Sequence, residues 1–122
     1  MIEQTQTELN IVVNDPSLHE LMIREDRLLP DEQVKLNAFL ASFMRQREWE
    51  WFQYKDGIID KDVYESYHTV IAFLLGTEKT RRWWDRIGKS GFDENFTSEV
   101  AALLDSTDGA SYMQDVRSWG DP

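Results

Sequence analysis

Apolar residues along this chain recur at spacings of three and four, and Pro and Gly fall between the periodic stretches rather than inside them. That pattern predicts helices joined by short turns. The strongest predicted element runs from about Asp31 to Lys55, entered through Leu29-Pro30 and closed by Asp56-Gly57. At about 100° per residue, Leu36, Phe39, Leu40, Phe43, Met44, Trp51 and Tyr54 form one broad stripe, and Val34, Ala38, Ala41, Trp49 and Phe52 a second, opposed one. A helix apolar on two sides is expected to be central.

Weaker elements flank it. Leu9, Val12 and Val13 fit a short helical face, and Asp15-Pro16 reads as a cap followed by a helix carrying Leu18, Leu21 and Met22. After the central helix, Asp60 is placed to cap a run in which Val63, Tyr67, Val70 and Leu74 share a face, widened by Tyr64, Ile71 and Leu75 until Gly76. Thr77 can cap a helix with Trp83, Trp84 and Ile87, stopped at Gly88, and Asp93 one with Phe96, Val100, Leu103 and Leu104. Tyr112, Met113, Val116 and Trp119 suit a short last helix. No strand-like alternation is sustained. The expectation is an all-α, single-domain antiparallel bundle of five to six helices over residues 1–122, with 1–13 and 107–122 loosely held.

Composition narrows the function classes. A length of 122 residues with 41% hydrophobic residues suits one domain with one core. The net charge of −10 opposes phosphate backbones and anionic lipid surfaces, so nucleic acid is not an expected partner. The absence of cysteine removes disulfides, thiolate metal sites and thiol nucleophiles together. The longest unbroken apolar run, Val70 to Leu75, is far below the roughly 20 residues of a membrane span. A soluble, cytoplasmic chain without membrane insertion is expected.

The segment Glu48-Trp49-Glu50-Trp51-Phe52-Gln53-Tyr54-Lys55-Asp56-Gly57-Ile58-Ile59-Asp60, followed by Tyr64, the pair Trp83-Trp84, and Phe92 and Phe96, resembles a family of uncharacterised bacterial helical proteins. The resemblance covers roughly Leu28 to Leu104 and implies a helical fold and a bacterial origin, but no mechanism, because the family has no assigned activity. Many members look membrane-anchored by an N-terminal hydrophobic helix. This chain lacks one, which leaves a naturally soluble member or the soluble part of a longer protein. The segment also has a folding explanation. Gly57 can end a helix with positive φ and Asp60 can cap the next through its carboxylate, which turns two long helices antiparallel.

Candidate chemistry is sparse. Glu65 and His68 stand three apart as in carboxylate-bridged metal bundles, but the second copy that such sites need is missing. No metal and no cofactor are expected. Gly88-Lys89-Ser90 lacks the earlier glycine of a phosphate loop and reads as a helix stop, and no nucleophile elbow is present. Arg47 is the unusual placement, falling inside the main apolar stripe with Glu50 one turn away. One reading buries Arg47 and Glu50 as a polar site facing Tyr64 or His68. The preferred one lays the arginine over Phe43 and Trp51 with its head in water. Trp49 is the tryptophan expected to stay partly exposed.

These features support a non-enzymatic interaction or sensory module, working through an aromatic face of the central helix as a homodimer or with another protein, with Arg47, Glu50, Trp49 and His68 as candidate binding residues and no catalytic residue. Alternatives are a small-molecule-binding bundle with Arg47 as polar anchor for an acidic ligand, or a hydrolase using Glu48, Glu50 and His68 in one cleft. The principal buried members are expected to be Phe43, Phe52, Tyr67, Val70, Leu74, Trp84 and Leu103.

Overall fold

A computed structural model describes residues 17–106, residue 115 and residues 118–122. Among these, five α-helices and one 3-10 turn follow one another with no strand: α1 (Ser17–Ile23), α2 (Pro30–Lys55), α3 (Lys61–Leu74), α4 (Glu78–Arg86), the 3-10 turn (Gly88–Gly91) and α5 (Glu94–Asp105). The fold is therefore an all-α bundle. The stripe of Leu9, Val12 and Val13, the Asp15-Pro16 cap, and Tyr112, Met113 and Val116 lie outside the described residues. Trp119 is described and 85% exposed.

Local chemistry sets the boundaries. Pro30 opens α2, where its missing N–H costs nothing, and Glu32 accepts a hydrogen bond from the Leu29 N–H at 2.8 Å. The same carboxylate pairs with Arg24 at 2.5 Å, which fastens the 24–29 loop to the start of α2. At the other end the Gly57 N–H donates to the Tyr54 carbonyl (3.1 Å) and the Ile58 N–H to the Gln53 carbonyl (2.9 Å), a Schellman closure with Gly57 at φ 78°. Thr77 caps α4 by accepting from the Thr80 N–H, and Asp93 caps α5 by accepting from the Asn95 and Phe96 N–H groups. Asp60 stands at the cap of α3 in extended backbone, but its carboxylate makes no capping bond, contrary to expectation.

The core lies where the main stripe of α2 meets the other four helices. Leu18, Leu40, Met44, Ile71, Leu75, Trp84, Phe96 and Val100 are its most enclosed members, one or more from every helix. A chain of rings runs through it: Trp83 to Trp84 (6.2 Å between centroids), Trp84 to Phe92 (5.6 Å), Phe92 to Phe96 (6.1 Å) and Phe96 to Trp51 (6.0 Å). Thr77 ties α1 to this assembly by donating to the Met22 carbonyl at 2.8 Å.

Of the residues expected to be buried, Phe43 and Trp84 are, while Tyr67, Leu74 and Leu103 are half-buried. Phe52 (42%) and Val70 (39%) are exposed. The reason for Val70 is rotational. On α3 the residues Tyr64, Ile71 and Leu75 face inward, so the row of Val63 and Val70 turns to solvent. Tyr64 fixes that rotation by stacking on Tyr54 across the corner, with centroids 4.4 Å and planes 5° apart. Phe52 belongs to the second stripe of α2, which none of the other described helices covers: Val34, Ala38, Trp49 and Phe52 are exposed and Ala41 is half-buried.

Candidate functional site

Four polar side chains on the middle of α2 are buried: Gln46, Arg47, Glu48 and Glu50. Each has a different destination because helix geometry fans successive residues about 100° apart. Arg47 Nε lies 2.6 Å from Glu50 Oε1, with side-chain exposures of 10% and 5%, and the guanidinium sits 4.5 Å from the centre of the Phe43 ring. The arginine therefore does lie over an aromatic, but its head is enclosed with Glu50 rather than hydrated. Trp51 receives Lys55 instead, at 5.5 Å. Burial pushes the Glu50 carboxyl above its ordinary range, against the opposing attraction of Arg47.

Glu48 points the other way. Its two oxygens accept from Arg45 at 2.5 Å and from the Asp93 N–H at 2.6 Å, while Arg45 also donates to the Gly91 carbonyl and covers the Phe92 ring. These contacts anchor the start of α5 to the middle of α2. His68 faces a third place. Its Nδ1 is 3.1 Å from the Tyr64 hydroxyl, which donates to Glu99 Oε2 at 3.2 Å, and Glu99 in turn pairs with Lys55 at 3.5 Å. A phenol has one proton, so with that proton on the Glu99 bond the His68 Nδ1 must carry its own hydrogen and donate. Burial lowers the His68 pKa and raises that of Tyr64, the latter with help from Glu99, Tyr54 and Glu50.

The candidate residues thus divide. Arg47 and Glu50 pair with each other on α2, while Tyr64, His68 and Glu99 form a hydrogen-bonded set between α3 and α5. Trp49 stands apart on the outer stripe, 42% exposed. Glu48, Glu50 and His68 have three separate sets of partners. Among the described residues, no group of three or more His, Asp or Glu side chains is placed to hold a metal ion, and no helix is long and apolar enough to cross a membrane.

Sequence reasoning missed one feature entirely. A groove of about 610 Å³ opens between the 24–29 loop, the first turns of α2 and the outer face of α4. Leu28, Leu36, Trp83 and Ile87 give it an apolar lining, and Arg27, Lys79, Arg82 and Arg86 line it with charge, opposed by Glu25 and Asp26. The Trp83 ring is fixed by its indole N–H, which donates to Asn37 at 2.8 Å, and by Gly88 behind it. Lys79, Arg82 and Arg86 stand at helical spacings of three and four, a signal readable in the sequence. Arg27 comes from a different element and was not. Compared with protein-family models, curated proteins and solved structures, the chain matches none of them.

Proposed function

We propose that this protein is a non-enzymatic interaction module that pairs with a second copy of itself through the outer stripe of α2. The observation that carries the reading is the exposure of Trp49 and Phe52, each 42%, in line with exposed Val34 and Ala38 on a 26-residue helix. Large apolar side chains exposed in line on a small domain commonly mark an interface. The stripe also complements itself. In an antiparallel pair about a two-fold axis, Phe52 comes opposite Val34 and Trp49 opposite Ala38, so the large residues of one copy meet the small ones of the other. Arg45, which crosses the stripe, is neutralised by Glu48 within its own copy. The family resemblance adds a bacterial origin to this reading.

Light scattering coupled to size-exclusion chromatography tests it. Twice the chain mass is expected at high protein concentration, reduced to a single chain mass by Trp49→Glu. A wild-type monomer at high concentration overturns the proposal.

A further inference from the structure

We infer that the groove beside Trp83 binds a small organic anion, a molecule with an apolar body and one or two negative charges. Its volume of about 610 Å³ lies within the range of small-molecule sites. The charge placement is the stronger argument. The chain carries 23 acidic and 13 basic residues, yet the groove is lined by four cations, Arg27, Lys79, Arg82 and Arg86, against two carboxylates, Glu25 and Asp26. Its lining is therefore net positive by two on a molecule that is net negative by ten.

Those cations are not consumed by folding in the usual way. Arg82 pairs with Glu78, and Lys79 donates to the Asp26 carbonyl, but Arg27 and Arg86 form no ion pair among the described residues. Burial first, and then the positive charges of Arg24 and Arg82, lower the Lys79 pKa, with Asp26 and Glu32 opposing. An anion in the groove relieves that repulsion. The apolar lining sets the rest of the ligand. Leu28, Leu36, Trp83 and Ile87 offer nothing to inorganic phosphate but cover a hydrocarbon or ring system. Two guanidiniums without carboxylate partners match one or two charges and fall far short of what a nucleic-acid backbone requires. The Trp83 ring is held at its edge by Asn37 and at its face by Gly88, so the wall is formed before a ligand arrives.

The probe is 1-anilinonaphthalene-8-sulfonate, with its uncharged parent N-phenyl-1-naphthylamine as the control, titrated against the full chain by probe emission. Saturable binding of the sulfonate is expected, weakened by raised salt. The double variant Arg27→Gln/Arg86→Gln, at two exposed positions, should lose about tenfold or more in affinity. Ile87→Asp, also exposed, provides an independent loss. Trp49→Ser, which disables the outer stripe of α2, should leave binding unchanged, so failure of the pairing proposal and failure of this one are separable. Unchanged affinity in both groove variants, equally tight binding of the uncharged probe, or loss of binding in Trp49→Ser would each overturn the assignment.

Discussion

Gly88 and Trp83 touch so closely that a Cβ on Gly88 would lie 2.7 Å from two atoms of the indole ring. The ring cannot retreat freely because its N–H is held by Asn37 and it also packs against Trp84. Gly88→Ala should therefore destabilise by about 1–3 kcal/mol, the cost of overpacking a filled site. Gly91, at the far end of the same 3-10 turn, has nothing within 4 Å of a Cβ. Gly91→Ala should change stability by less than about 0.5 kcal/mol. Urea denaturation of the two variants distinguishes packing from turn propensity as the reason for glycine here.

The Arg47–Glu50 pair should behave as a unit. Removing the carboxylate takes the Glu50 charge away from a guanidinium enclosed beside Phe43, so Glu50→Leu should cost about 3–5 kcal/mol. Arg47→Met combined with Glu50→Leu should recover most of that loss, because two apolar side chains need no charge partner. A double-mutant cycle in urea reads the coupling. A double variant as unstable as Glu50→Leu alone would show that the arginine packs rather than pairs.

At the α2–α3 corner, Gly57 and Asp60 should differ sharply. Gly57 holds φ 78° and a Cβ there would meet nothing within 4 Å, so the cost of a side chain is conformational. Gly57→Val should lose more than about 1 kcal/mol, since a β-branched residue is strongly disfavoured at positive φ. Asp60 makes no capping bond, so Asp60→Ala should stay within about 0.5 kcal/mol of wild type instead of losing the roughly 1 kcal/mol of a functional cap. Thermal unfolding midpoints decide both.

These cases show what was legible in the sequence. Helix-end rules act over three or four residues, so Thr77, Asp93 and Gly57 were placed correctly from their immediate neighbours. Which side of α3 turns inward depends on another helix. Val63/Val70 and Tyr64/Ile71 have equally good helical spacing, and contacts with other helices, such as the stack of Tyr64 on Tyr54, select between them. The same holds for Phe52, whose stripe is as periodic as the buried one and differs only in having no described helix against it. Glu48 was one of three candidates for a hydrolase cleft. It is committed to the Asp93 N–H, a partner 45 residues away that no local pattern announces.

His68 gives the protein a pH dependence with a defined sign. Its pKa in the folded chain is lowered by burial, although Glu99 from α5 and Glu65 on its own helix pull the other way. The unfolded chain therefore takes up this proton first on acidification, and the contribution is lost as pH falls from about 6.5 through the folded value. Between about pH 7.5 and about pH 5.5, wild type should lose more stability than His68→Gln. Urea midpoints at the two pH values measure the difference, and equal losses would mean that Tyr64 and Glu99 leave His68 as free to protonate as in the unfolded chain.

The burial of the tryptophans sorts them into two optical classes. Trp51, Trp83 and Trp84 are 5%, 9% and 2% exposed, whereas Trp49 and Trp119 are 42% and 85% exposed. A collisional quencher in solution meets the second pair far more than the first. Because the chain carries ten net negative charges, the sign of the quencher matters as well: caesium is drawn toward those two rings and iodide is held off them. Native emission from this protein is thus a composite of an interior signal indifferent to salt identity and a surface signal that reports the local potential.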